Sequence, residues 1–398
     1  MKKGFVIFFL IIFFLIGNAF VMSKKNNNIY DNNKEEIRGV YISYLEYLSY
    51  FNGNSLNINK SYINKMLDQI KENNFNTIFL HVSPFSDAIY KSNIFPYSYT
   101  LTGVEGKNPG LDYLDYFIRE AHKRNLKIHA WINPYRISST TDTSKLSNDN
   151  PAITFLKTND AKITKTGIYY NPASSKVIDL LLKQIYEIIT NYNVDGIHLD
   201  DYFYEDVEID LELYQKHFLE TNISINEYRL NIINTTIKSI YKLIKSYNKN
   251  IIFSISPDGN IENNYELHYA DIKTWLSDDG YIDIIMPQVY FGFDNSLKPF
   301  EKTINEWNNL IKNNVKLVPV LAFYKVGLVD EYAGVGKYEW INNQDIISRQ
   351  INYSKTLNNY DGYTLFRYEY IFNSNLINNN SKLELENINN KYKQSIKK

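Results

Sequence analysis

Residues 194–204 read VDGIHLDDYFY. Ile197 and Leu199 alternate with His198 and Asp200, the period of two that an extended strand imposes on its side chains. The apolar pair suits a face covered by helices, which leaves His198 and Asp200 on the opposite, inward face. A carboxylate at the C-terminal end of such a strand sits where parallel α/β enzymes assemble their sites. Neighbouring residues on a strand point opposite ways, so Asp200 is expected to reach the site and Asp201 to bind backbone or a loop.

Working outward, β-rich runs alternate with helical patterns on both sides of this strand. Strands are predicted at 37–43, 77–82, 127–133, 196–200, 251–256, 282–288, 316–322 and 363–366. Helical periodicity fills 59–73, 111–124, 174–192, 224–247, 272–276, 298–312 and 345–357. Eight strands joined by helical crossovers predict an α/β fold, a (β/α)8 TIM-type barrel over 37–376, with an open doubly wound sheet as the alternative. Long inserts at 137–170, 204–223 and 326–340 follow strands three, four and seven, all at C-terminal strand ends. Residues 377–398 form a mostly polar helical tail. The strand-four parity carries to its neighbours: Phe79, His81 and Ser83 in strand two, and His129, Trp131 and Asn133 in strand three, converge on the same end.

The N-terminus reads differently. Lys2 and Lys3 precede an apolar run at 5–16, extended by 19–22 past Gly17 and Asn18. This is a signal peptide or signal anchor at 1–22, and the poor small-x-small pattern around Ala19 favours an uncleaved anchor. A polar, Asn-rich linker follows at 23–36. The expectation is an extracytoplasmic protein that meets the membrane through this segment.

Composition narrows the chemistry. The 398 residues carry 43 Lys and Arg against 44 Asp and Glu, a net charge of -1, which gives no general attraction to nucleic acid. There is no cysteine, hence no disulfide framework, thiolate metal site or cysteine nucleophile. The 35 Tyr and 22 Phe offer flat faces for sugar rings. Two carboxylates flanking a scissile bond are the usual equipment of glycoside hydrolysis. Asp200, Asp201 and Glu369 are taken as catalytic candidates, with Asp258, Asp271 and Glu46 as further choices for the second carboxylate. Arg136 and Arg367 could hold an anionic group. Gln288 and Tyr290 could bond hydroxyls, and Trp131, Tyr135, Tyr202, Tyr290 and Tyr324 could stack on sugars. His81, His129, Asn133 and His198 complete the expected substrate-binding set. No metal site and no cofactor are expected. Two other readings stay open: a metal-dependent amidase or deacetylase built on His81, His129, His198 and Asp200, and a non-catalytic glycan-binding barrel.

Eight runs in order make the chain similar to one family: EIRGVYISYL at 36–45, NTIFLHVSPFSDAIY at 76–90, EAHKRNLKIHAWINPYR at 120–136, VDGIHLDDYFY at 194–204, SISPDG at 254–259, YADIKTWL at 269–276, YIDIIMPQVY at 281–290 and LAFYKVG at 321–327. The chain resembles the bacterial glycosyl hydrolase-like ten family. That resemblance implies a barrel hydrolase of bacterial envelope polysaccharide, cutting peptidoglycan glycan strands once stem peptides are removed. It points by position to Arg136, Asp200, Asp201, Asp271 and Gln288. His81 departs from the pattern, standing where Gln is common.

Overall fold

The computed structural model describes residues 35–201 and 203–396. The expected signal or anchor at 1–22, most of the 23–36 linker, and Tyr202 lie outside the described residues. Among the described residues no helix is long and apolar enough to cross a membrane.

The strands are β1 Ile37–Ile42, β2 Thr77–Ser83, β3 Lys127–Ile132, β4 Gly196–Leu199, β5 Ile252–Ile255, β6 Ile284–Ile285, β7 in two pieces, Lys316–Leu317 and Val320–Leu321, and β8 Gly362–Leu365. All pair in parallel, forming one curled sheet that runs from Lys316–Leu317 through β6, β5, β4, β3, β2, β1 and β8 to Val320–Leu321. The two outermost pieces belong to one run. On one side its Val318 and Val320 N–H groups donate to Ile285 and Pro287; on the other, Pro319 and Leu321 carbonyls accept from Thr364 and Phe366. Pro319 has no N–H to give, and the ladder is broken there into two short pieces.

Helices α1 Leu56–Glu72, α2 Tyr113–Lys123, α3 Ser175–Asn191, α4 Ile225–Tyr247, α5 Ile272–Ser277, α6 Phe300–Leu310 and α7 Ile346–Ser354 fall between successive strands. Their starts are chemically marked. Asp112, Ser174 and Ser224 accept hydrogen bonds from the N–H groups of Asp115, Val177 and Glu227, satisfying donors that the helix leaves unpaired.

The alternating pattern of each strand splits the core in two. Ile197 and Leu199 join the large layer between sheet and helices. Inside the curl lies a smaller cluster of Tyr41, Phe79, Trp131, Ile284, Met286, Val318 and Val320. Gly196 faces this inner space opposite His129, and a Cβ there would come within 2.5 Å of the His129 ring. Only glycine leaves room for that ring at this position.

Three features differ from expectation. Strand six is reduced to two residues, because Pro287 follows and breaks regular pairing. The 137–170 insert contains a small antiparallel sheet, Arg136–Ser138, Ile168–Tyr170 and Ala161–Ile163, whose three-residue strands are too short to show periodicity. A further insert, 84–112, follows β2 and carries the helix Tyr99–Thr102. The tail forms α8 Asn379–Ile396, with Ile388 and Glu384 buried and Arg38 stacked 4.3 Å from the Tyr392 ring.

Candidate active site

At the C-terminal ends of the strands, the sheet opens into a cleft of about 270 Å³. Its floor is a layer of neutral imidazoles. His198 is fully buried, bonded to Tyr41 Oη at 2.9 Å, Ser254 Oγ at 2.8 Å and Ser256 Oγ at 3.1 Å. Burial drives its pKa well below the ordinary value. His129 lies deeper, its ring 4.9 Å from that of Phe79, and burial lowers its pKa to about 4. Neither borders the cleft. His81 does: its ring stacks on Trp131 at 3.5 Å, and Nε2 meets Asn133 Oδ1 at 3.2 Å. Burial, then the Arg136 charge, hold His81 neutral. Asn133 stands behind His81 and donates to the Pro84 carbonyl.

Above this layer sit two carboxylates. Asp200 is 2% exposed and accepts a hydrogen bond from Trp131 Nε1 at 3.1 Å. Asp201 borders the same cleft. Asp201 also accepts a backbone hydrogen bond, as expected, but the implication that it misses the site is corrected. β4 ends at Leu199, so strand alternation no longer governs residues 200 and 201, and the chain bends to present both. Burial raises the Asp201 pKa first of all; His268 lowers it, Asp258 raises it and a hydrogen bond from Gln288 lowers it. Asp258 is itself pinned by the Asn260 N–H at 2.7 Å and Asn263 Nδ2 at 2.8 Å. Gln288 Nε2 also donates to the Ser256 carbonyl at 3.0 Å.

The walls are aromatic and cationic. The Arg136 guanidinium lies 4.8 Å from the Phe85 ring centre and 5.6 Å from that of Tyr44, and its Nε donates to the Pro84 carbonyl. Tyr290 borders the cleft and packs edge-on against Tyr324 at 5.7 Å, which stands one layer behind. Tyr135 is buried away from the opening.

Other sequence candidates fall elsewhere. Arg367 Nη1 pairs with Glu46 at 2.6 Å and with Glu369 at 3.0 Å. Glu46 is fully buried, and Ser43 donates to it through both N–H and Oγ. This trio lies outside the residues bordering the cleft. Asp271 caps α5, accepting from Thr274 N–H and Oγ1 and from Asn234 Nδ2. Two residues beside the carboxylates were not singled out from sequence. Glu205 opens the insert after the aromatic run; although it reaches solvent, desolvation raises its pKa, with His268 and Arg136 lowering and Asp201 raising it. His268 has a buried Nδ1 without a partner among the described residues. Their only sequence signal is proximity to the DDYFY and YADIKTWL runs. Among the described residues, no three His, Cys, Asp or Glu side chains are grouped to hold a metal ion.

Residues 36–333 match the family model described as "Glycosyl hydrolase-like 10". The chain belongs to this family. Within it, 318 residues are 33% identical to the glycosyl hydrolase YngK of Bacillus subtilis, covering 73% of this chain and 61% of that one. The chain therefore spans less than two thirds of that relative's length. A stretch of 375 residues is 28% identical to the glycosyl hydrolase DigH of Escherichia coli K12, covering 85% and 84% of the two chains. Among solved structures, an endo-1,4-β-mannanase from Rhizomucor miehei superposes with a TM-score of 0.54 at 13% identity, covering 92% of this chain and 96% of that one. A group IV chitinase from Ostrinia furnacalis gives 0.51 at 13% identity, covering 90% and 99%. At such identities the likeness is one of fold. This chain thus has the fold of those barrel structures.

Proposed function

We propose that the protein is an exported glycoside hydrolase that cleaves bacterial envelope polysaccharide, with peptide-free peptidoglycan glycan strands as substrate. The run 316–321, bonded to both β6 and β8, supports reading the sheet as a closed (β/α)8 barrel. The observation that carries the activity is the pair Asp200 and Asp201, side by side in one cleft but in different surroundings. Asp200 accepts from an indole N–H, which suits the charged carboxylate. Asp201 is desolvated and backed by Asp258, which favours retention of its proton. In this reading Asp201 protonates the glycosidic oxygen as the bond to the anomeric carbon breaks. Asp200 stabilises the positive charge that develops on the sugar, and water completes the hydrolysis. Arg136 can pair with the lactyl carboxylate that a stem peptide would otherwise block. Export rests on the apolar segment at 1–22.

The test is direct. Purified protein lacking residues 1–22 is incubated with glycan strands before and after amidase treatment, and products are identified by mass spectrometry. Faster release of oligosaccharides from the stripped strands is expected. Equal rates on both would remove the peptide-free specificity, and no products from either would remove the hydrolase reading.

A further inference from the structure

A second cavity, of about 400 Å³, opens at the same strand ends as the cleft. Its wall is built by the two inserts after β2 and β3. Phe85 and Tyr99 supply aromatic surface, their ring centres 5.7 Å apart. Ser138, Ser139, Thr140 and Ser144 supply hydroxyls. That mixture of flat apolar faces and many small hydroxyls is what a sugar ring, with its apolar faces and hydroxyl rim, requires. The volume lies in the range of pockets that hold small ligands.

Shared residues tie this cavity to the catalytic cleft. Phe85 lines the cavity, and its ring packs 5.1 Å from Tyr44, which lines the cleft. Arg136 lines the cleft and Ser138 the cavity. They are two residues apart on one strand, roughly 7 Å of extended backbone. The far wall is braced. The Glu105 carboxylate accepts from the Ser147 N–H and from Asn150 Nδ2, and Asn150 is bonded in turn to Ser86. The insert carrying Tyr99 and the insert carrying Ser139 are thereby locked to each other and to the loop after β2. A cavity with braced walls holds its shape before a ligand arrives, which lowers the cost of binding.

We infer that this cavity is a distal sugar subsite, continuous with the cleft across Tyr44 and Phe85, which binds a ring of the glycan strand away from the scissile bond. The inference rests on the glycan reading above and deepens it: the protein recognises an extended strand, not a disaccharide. Stacking on Tyr99 and hydroxyl bonding to the 138–140 segment make affinity grow with chain length.

The experiment uses the Asp200→Asn protein, so that binding is read without turnover. Calorimetry measures its affinity for peptide-free glycan oligosaccharides of two, four and six rings, alone and combined with Tyr99→Ala or Ser139→Trp. Ser139 is exposed, so the Trp variant fills the cavity without touching the core. Affinity is expected to rise at least tenfold between the shortest and longest oligosaccharide, and both variants are expected to abolish that rise. Affinity independent of length, or a rise that survives both variants, overturns the subsite. So does absence of binding at every length. Cleavage assays on unsubstituted protein run in parallel. A length-dependent affinity lost in the variants, without any cleavage, would keep the subsite and sink the hydrolase. Cleavage with unaltered length dependence in the variants would do the reverse.

Discussion

Asp200 and Asp201 are consecutive residues with separate environments, and they make separate predictions. Asp200→Asn keeps the shape and the Trp131 contact but removes the negative charge facing the cleft. Loss of at least about a thousandfold in kcat on glycan strands is expected, with unchanged thermal unfolding. Near-normal turnover in the folded variant would exclude Asp200 from the chemistry. In its proposed role as acid, Asp201 must be protonated to donate. Its raised pKa means activity is retained at low pH and lost as pH climbs through that value. Asp258 raises and His268 lowers that pKa. Asp258→Asn should therefore move the alkaline limb of the kcat/KM profile to lower pH, and His268→Ala should move it to higher pH. Profiles that coincide with the unsubstituted enzyme would show that another group supplies the proton.

At the level of elements, one ion-pair cluster joins the segments that follow the first and last strands. Glu46 lies on the helix Tyr44–Tyr50, directly after β1, and Arg367 and Glu369 lie directly after β8. Burial pushes the Glu46 pKa up while Arg367 holds it down. Removing only the cation leaves a buried carboxylate unpaired, which is far costlier than losing an exposed pair. Arg367→Met should destabilise by about 3–5 kcal/mol, read as a lower denaturant midpoint, and Glu46→Gln in the same chain should recover part of it. A shift below about 1 kcal/mol, typical of surface pairs, would mean that the cluster does not clamp β1 to β8. Ser43 caps the helix that holds Glu46 and itself lines the cleft, so the clamp also fixes one wall of the site.

The molecule as a whole buries both neutral imidazoles and carboxyls whose pKa values burial raises. His81, His129 and His198 all have native pKa values below the ordinary 6.5. A depressed native pKa contributes stability that is present above 6.5 and lost as pH falls through the native value. For His129, from 6.5 to about 4, the loss approaches roughly 3 kcal/mol. Asp87, raised to about 7 by burial, works the opposite way: its contribution is full below about 4 and fades as pH rises through 7. Burial likewise raises the pKa values of Glu46, Glu105 and Asp201, so these carboxyls act with Asp87 and oppose the histidines, and each contribution is read by its own substitution. Measured against a His129→Gln chain, the denaturant midpoint of the unsubstituted protein should lose ground between pH 6.5 and 4.5, and Asp87→Asn should gain relative stability at pH 8 over pH 5. A difference between the two chains that stays flat across the acid range would contradict the neutral state of His129.

Eight strands, their crossovers and the strand-end clustering of His81, Trp131 and His198 follow from the sequence alone. A period of two in a β-rich run dictates which side chains share a face, whatever lies around it. The family is legible in part for the same reason, since most of its motifs span strand ends. Where local periodicity stops, so does what sequence determines. Asp201 turns into the cleft because β4 ends one residue before Asp200, a boundary set by pairing with β3 and β5. Glu369 and Arg367 are drawn to Glu46, more than three hundred residues away in sequence, because curling of the sheet brings β8 beside β1. Glu205, His268 and the cavity walled by Tyr99 and Ser139 come together from inserts that carry no repeating pattern. Only tertiary packing brings those inserts to one end of the sheet, because contacts between distant loops depend on the scaffold beneath them.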